Sequence, residues 1–242
     1  MKKAILALMI VLLLSQSAMS LAYALGPPVA EQAIFIHYAH AAAKPTPPVK
    51  DSGSYKVFAH WLLDDQPVTY TINPSVSDMT PTDVVRIVQI AAEEWDDGEC
   101  SGWLGVSRNL FEYVGASEKT YDDLAWTSGD LDGENTLVFG DYTEANVIAV
   151  TLIWYTRVTK QILEFDMVFD TTWKWGDADE ESRQVMDLQN IATHELGHAV
   201  GLGDLYRPNT ALETMYGYAS YDETIKRDLY NGDKAGIISL YG

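Results

Sequence analysis

The chain has a single cysteine, Cys100, so no disulfide can close within it and the fold must rest on packing or metal. Positive charge is also scarce: 16 lysines and arginines stand against 35 aspartates and glutamates, a formal net charge of −19. Such a surface repels phosphate backbones and anionic bilayers, which argues against nucleic-acid or charged-membrane partners and favours solubility or occupancy by cations. Apolar runs long enough to cross a bilayer are missing after Ala24. Histidine occurs five times, and two of the five fall in one short motif.

The first 24 residues read as an export signal. Lys2 and Lys3 form a positive start, residues 4–14 an apolar run, and Ala22-Tyr23-Ala24 a small-x-small cleavage site. The apolar run is short for a spanning helix, so a secreted, extracellular protein is expected, without stable membrane association once the signal is cut. Residues 25–54 carry Gly26-Pro27-Pro28 and a Lys44-Pro-Thr-Pro-Pro48 run, the composition of an extended linker or short propeptide. Between them lies a mixed apolar segment with His37 and His40, three apart but with nothing nearby to complete a metal site. The remainder, 55–242, is long enough for one catalytic domain with an ample core, expected as a monomer.

The chemistry concentrates in residues 192–204, which contain H-E-x-x-H-x-x-G-x-x-D. Residues four apart share one face of a helix, so His194 and His198 can offer two imidazole nitrogens to one ion. Glu195 projects from the same turn, where a carboxylate can take a proton from a metal-bound water without ligating the metal. Gly201 can adopt the positive φ that ends the helix, and Asp204 can then return an oxygen ligand, leaving one position open for water. Two histidines and a glutamate among Ile191, Leu196, Ala199, Val200 and Leu202 are costly to bury without a partner, which also points to a metal.

This motif, followed by Glu213-Thr214-Met215-Tyr216-Gly217, resembles the metzincin zinc proteases, and within them the matrixin-like branch. Most metzincins have histidine where this chain has Asp204; aspartate there is known in snapalysin-type enzymes. The resemblance implies that His194, His198 and Asp204 bind zinc, that Glu195 is catalytic and that Met215 forms the turn beneath the metal. The tyrosine that ligates zinc in some metzincins would fall at Gly217, so neither Tyr216 nor Tyr218 is taken as a ligand. Some matrixins are held latent by a propeptide cysteine, but Cys100 lies within the catalytic region without a matching motif. A free or intermolecular thiol is expected there.

The expected fold class is α+β: a twisted mixed sheet, an active-site helix and a methionine turn. Residues 57–63 and 68–72 read as strands around the turn at 64–67, and Thr80 caps a helix whose apolar positions run from Val84 to Trp95. The stretch 96–127 is loop-rich and left unplaced. Residues 130–135 form an acidic turn feeding a strand at 136–139; structural calcium is one reading, a plain polar turn the other. Strands follow at 147–155 and 162–169. By resemblance the first is the sheet edge above the cleft, with Ala149 to Thr151 lining an extended substrate; an ordinary edge strand is the alternative. Asp187 caps the helix that carries the motif, and 233–240 is the last helix.

The function expected is therefore a secreted zinc endopeptidase that hydrolyses peptide bonds in a protein or peptide substrate, through a zinc-activated water with Glu195 as general base. Two rivals stand beside it. Glu213 in place of Asp204 is disfavoured because its surroundings make a poor helix. A secreted, metal-stabilised binding protein with structural zinc is disfavoured because only three ligands are found where four are usual.

Overall fold

The computed structural model describes residues 30–40, 50–75, 77–96, 109–124, 131–180 and 184–242. The export signal, Cys100 and Asp130 lie outside them. The architecture is α+β. Seven strands form one mixed sheet: β1 Ala30–Ala39, β2 Val68–Ile72, β3 Phe111–Ala116, β4 Thr136–Gly140, β5 Val147–Thr156, β6 Ile162–Asp170 and β9 Tyr218–Ala219. Their spatial order is β3-β2-β4-β6-β5-β1-β9. Strands β2, β3, β4 and β6 run parallel, β5 runs antiparallel to β6, β1 antiparallel to β5, and β9 parallel to β1. A two-residue ladder joins β7 Trp175–Gly176 to β8 Met186–Asp187.

Every residue of β5 is buried, as expected of a strand inside a covered sheet whose sequence is a nearly continuous apolar run. One face meets two helices. In α1, Pro81–Trp95, the Thr80 hydroxyl accepts from the Asp83 N–H, Pro81 opens the first turn, and Val84, Ile87, Val88, Ala91 and Trp95 recur at helical spacing on the buried side. In α2, Leu188–Ala199, the Asp187 carboxylate accepts from the Asn190 N–H. The two helices pack together, and the Trp95 indole donates to the Thr193 carbonyl at 2.7 Å. The last helix, α3 Asn231–Tyr241, sends the Tyr241 hydroxyl to the Val200 carbonyl at 2.6 Å, while the Trp61 indole takes the Ala199 carbonyl at 2.8 Å. These two ring donors satisfy carbonyls that the end of α2 leaves open.

Two expectations are corrected, and one stretch without an assignment gains one. Residues 57–63 are not a strand: Val57 and His60 make only isolated bridges, to Leu202 and Gln161. The N–H groups of Phe58 and Ala59 are drawn to the Gly201 carbonyl, so the segment wraps the end of α2 instead of joining a ladder. The stretch left unplaced contains β3, which pairs parallel to β2. Finally, β5 is not the sheet edge, because residues 30–39, expected in a linker or short propeptide, form β1 against it. In β1, Ala30, Gln32 and Ile34 are exposed while Glu31, Ala33, Phe35 and His37 turn inward, a period-two pattern that covers the helix side of the sheet.

Candidate metal centre

Helix α2 is fixed before it presents any functional group. Its cap, Asp187, also pairs with Arg227, whose Nε donates at 2.8 Å, and the Asn190 side chain accepts from the Lys226 N–H at 2.7 Å. At its other end Gly201 has φ +110°, and a Cβ there would fall 2.1 Å from the Ala59 carbonyl oxygen, so only glycine allows the turn. Gly197, inside the motif, has a different reason. A Cβ on it would lie 2.1 Å from the Met215 sulfur and 2.7 Å from the Trp95 ring, so glycine lets the methionine turn seat directly against the helix.

His194, Glu195 and His198 are wholly buried and Asp204 is nearly so. The Nδ1 of His194 lies 2.7 Å from the Thr214 carbonyl and that of His198 lies 2.9 Å from the Leu202 carbonyl. A carbonyl can only accept, so both Nδ1 atoms carry hydrogen and both Nε2 atoms offer lone pairs. These lone pairs face one oxygen: Asp204 Oδ1 is 3.2 Å from His194 Nε2 and 3.4 Å from His198 Nε2. None of the three atoms has a hydrogen-bond partner.

Three acceptors facing one point repel unless positive charge sits among them. A proton can serve: burial lowers the affinity of His198 for one, but the Asp204 carboxylate raises it further, and the imidazoles hold the Asp204 carboxyl well below the usual range despite burial. A divalent cation serves better. Zinc ligated at about 2.0–2.1 Å sets tetrahedral ligand atoms roughly 3.3 Å apart, which matches the 3.2 and 3.4 Å from Asp204 Oδ1 to the two imidazole nitrogens. The donor set therefore fits zinc, and deprotonation would accompany its binding.

Asp204 is positioned by contacts the sequence did not announce. Its Oδ2 accepts from the Tyr206 hydroxyl at 3.0 Å, which aims Oδ1 at the histidines. The following segment is laced to the methionine turn by Leu205 N–H to the Met215 carbonyl at 2.8 Å and Gly217 N–H to the Leu205 carbonyl at 3.0 Å. A Cβ at Gly217 would lie 2.5 Å from the Tyr206 ring, so that glycine makes room for the tyrosine. The turn itself is held by Asp233, which accepts from the N–H groups of Thr214 and Met215.

Glu195 sits beside the trio. The Thr151 hydroxyl donates to its Oε2 at 2.5 Å, while Oε1 is buried without a hydrogen-bond partner. Thr151, in the stretch expected to line a substrate, supports this carboxylate with its side chain. Glu213, the rival ligand, is spent elsewhere: it accepts from the Ser52 N–H and hydroxyl and from the Gly232 N–H. Met215 is buried under Gly197 as expected.

His37 is the residue that sequence reasoning set aside. Its Nδ1 lies 3.3 Å from Glu195 Oε1, its ring centroid is 3.9 Å from that of His194, and neither ring nitrogen has a hydrogen-bond partner. Burial, with His194 adding, pushes its pKa down to about 3, so the ring is neutral. His40 takes no part and meets Tyr218 edge-on. Among the described residues, the two groups that could hold a metal both lie at α2: His194, His198 and Asp204, and His37, His194 and Glu195. The described residues of the acidic turn, 131–135, offer no comparable group. Glu164 accepts from the N–H groups of Asp132 and Gly133, and Lys119 pairs with both Asp132 and Glu134 at 2.7 Å.

A sequence model of the family described as Matrixin matches residues 60–242. The hatching enzyme of Paracentrotus lividus is 30% identical over 179 residues, 74% of this chain and 26% of that protein. Matrix metalloproteinase-25 of Mus musculus is 36% identical over 73 residues, 30% of this chain and 11% of that one. Metalloendoproteinase 1-MMP of Arabidopsis thaliana is 40% identical over 73 residues, 29% and 19% of the two chains. The chain thus spans about a quarter or less of the length of these relatives.

Proposed function

Because this chain belongs to the matrixin family, we propose that it is a secreted zinc-dependent endopeptidase in which His194, His198 and Asp204 hold the metal and Glu195 is the general base. The observation that carries this reading is the convergence of three buried, unpartnered acceptors at ligand spacing, with an unpartnered carboxylate oxygen beside them. Zinc bound there would supply a Lewis acid for a peptide carbonyl and a water acidified toward neutrality.

The remaining work belongs to the chain. Thr151 fixes one oxygen of Glu195, so the proton is taken by Oε1, the oxygen that no group in the protein satisfies. Burial raises the cost of the charge, but the imidazoles around Glu195 hold its carboxyl below the ordinary range. After attack the same oxygen can return the proton to the leaving amine, as a carboxylate within reach of both positions can. The sheet above and α2 below exclude bulk water, which strengthens each of these interactions. The described part of the acidic turn holds its shape through Glu164 and Lys119.

Zinc content and casein cleavage, measured on the full chain and on Glu195→Gln with long incubation at high enzyme concentration, test the reading. Both proteins should hold one zinc per chain, and the variant should lose roughly 10²–10⁴-fold in rate, the span typical of a general base. Equal cleavage by the two would overturn the role of Glu195.

A further inference from the structure

The candidate ligands come from two pieces of chain, α2 with His194 and His198 and the following loop with Asp204, and both are tied to one short turn. We propose that Lys226 and Arg227, neighbours on the 3₁₀ turn Ile225–Arg227, are the positioning residues of the metal centre: Arg227 fixes the helix that carries the histidines, and Lys226 fixes the rings that aim Asp204. This rests on the ligand set of the proposed function and adds what holds that set at its spacing before a metal arrives.

Arg227 supplies the first half. Its guanidinium grips the Asp187 carboxylate at two points, Nε to Oδ1 at 2.8 Å and Nη2 to Oδ2, which fixes direction as well as distance. It also gathers Asp177 at 2.6 Å and Asp179 at 2.7 Å, so the connector before α2 is drawn to the same point. Asp187 is buried and caps α2 through the Asn190 N–H, while Lys226 gives its own N–H to the Asn190 side chain at 2.7 Å. The first turn of α2 is thereby tied to the 3₁₀ turn twice. His194 follows four residues after Asn190, on the same face of the helix.

Lys226 supplies the second half. Its side chain is 1% exposed, a costly place for an ammonium, and burial pulls its pKa below the usual lysine value although Glu223 and Asp233 oppose the shift. A methionine would fill similar space without that cost, and exchanging buried charge for apolar bulk is often neutral or stabilising. The use of the ammonium therefore lies in what it reaches. Its Nζ pairs with Glu223 and donates to the Tyr218 carbonyl at 2.9 Å. The Tyr218 ring meets the Tyr206 ring edge-on with centroids 5.5 Å apart, and the Tyr206 hydroxyl donates to Asp204 Oδ2 at 3.0 Å. A series of contacts thus leads from Lys226 to the ligand carboxylate.

Holding both halves to one turn matters because the donor atoms repel one another until a cation joins them. Asp204 Oδ1 lies 3.2 and 3.4 Å from the two imidazole nitrogens, and none of the three has a hydrogen-bond partner. A carboxylate free to rotate would turn away, and each binding event would have to bring it back. Contacts that hold it in place move that ordering cost from binding into folding.

Zinc affinity of the full chain, read by chelator competition beside melting of the metal-free protein, tests both halves. Lys226→Met should weaken zinc by about threefold to tenfold, no further than Tyr206→Phe, through which it acts. In the Tyr206→Phe background the same exchange should alter affinity by less than about twofold, because contacts in one series are not additive. Arg227→Gln loosens the histidine half by a separate route, so its loss of about tenfold should persist in full beside Tyr206→Phe. Unchanged affinity in Lys226→Met overturns the Lys226 route, and so does a loss that repeats in full on top of Tyr206→Phe, the mark of a general loosening of the fold. Unchanged affinity in Arg227→Gln overturns the other half. Should Lys226→Met fail to fold, Tyr218→Leu removes only the half-buried ring in the middle of the series and is judged by the same cycle. Zinc bound with these patterns and no casein cut by the parent would leave the positioning standing and overturn the endopeptidase reading.

Discussion

Asp204 and Asp233 are buried carboxylates on either side of the same methionine turn, and they are treated in opposite ways. Asp233 accepts three main-chain hydrogens, from Thr214 at 2.8 Å, Tyr230 at 3.0 Å and Met215 at 3.2 Å. Asp204 receives one hydroxyl on Oδ2, and its Oδ1 faces only other acceptors. A carboxylate saturated with N–H donors is an architectural part; one left unsatisfied against two lone pairs has surroundings that a cation would complete. The same contrast separates Glu213, which is saturated, from Glu195, whose Oε1 is open. Folding alone gives no reason to leave such atoms bare, because each costs free energy until something binds it.

The sharpest way to break the comparison is to remove each carboxylate in turn. Asp204→Ala should lose zinc by more than the roughly 10–100-fold typical of an outer partner, while the metal-free chain unfolds at a temperature no lower than the parent's. Competitive chelator titration and thermal melts of the metal-free proteins check both halves, and unchanged zinc affinity would sink the ligand assignment. Asp233→Ala should do the reverse. Two buried N–H groups and one half-buried one lose their acceptor at about 1–3 kcal/mol each before relaxation, so a destabilisation of about 3 kcal/mol or more is expected in denaturant unfolding. A loss of stability below about 1 kcal/mol there would mean that the turn is held by something else.

A third carboxylate sharpens the scale. Asp166, in mid-sheet, accepts one hydrogen, from the Thr136 N–H at 3.1 Å, and its Oδ2 has no partner. Burial pushes its pKa up to about 7, whereas Asp233, equally inaccessible but with three donors, is pushed only to about 6. Both lie above the ordinary aspartate value, so the folded state binds their protons more tightly than the unfolded one. The stability they contribute is full below about pH 4 and is lost as pH rises through 6 and 7. Asp166→Asn should flatten that decline, by on the order of 4 kcal/mol between pH 4 and 7.5, in urea unfolding followed across pH. An unchanged slope would mean that Asp166 is ionised in the fold.

Much of this was legible in the sequence where the determinants are local. Thr80 with Pro81 and Asp187 with Asn190 set the starts of α1 and α2, and the motif spacing put His194, Glu195 and His198 on one helix because a 3.6-residue period needs no distant partner. Strands β4, β5 and β6 were readable as apolar, β-branched runs. What was not legible depends on distance along the chain. Residues 57–63 have strand-like composition, yet their N–H groups go to Gly201. His37 gains its meaning from Glu195, far away in sequence, although the alternation of Glu31, Ala33, Phe35 and His37 was there to be read as a strand.

Tyr206 is the mildest case, because two residues after a candidate ligand any side chain can pass for loop. Its hydroxyl donates to Asp204 Oδ2, and burial together with that carboxylate lifts its own pKa well above the usual tyrosine value, so it stays a donor through the working pH range. Removing only that oxygen in Tyr206→Phe keeps the ring against Gly217 and takes away the hydrogen that aims Oδ1. Zinc affinity should fall by about tenfold, the lower end of the effect of an outer partner, with melting of the metal-free chain unchanged. If affinity is unaltered, Asp204 is aimed by its backbone alone, through the Leu205 and Gly217 hydrogen bonds to the methionine turn; if it falls as far as in Asp204→Ala, the tyrosine and the aspartate act as one ligand unit.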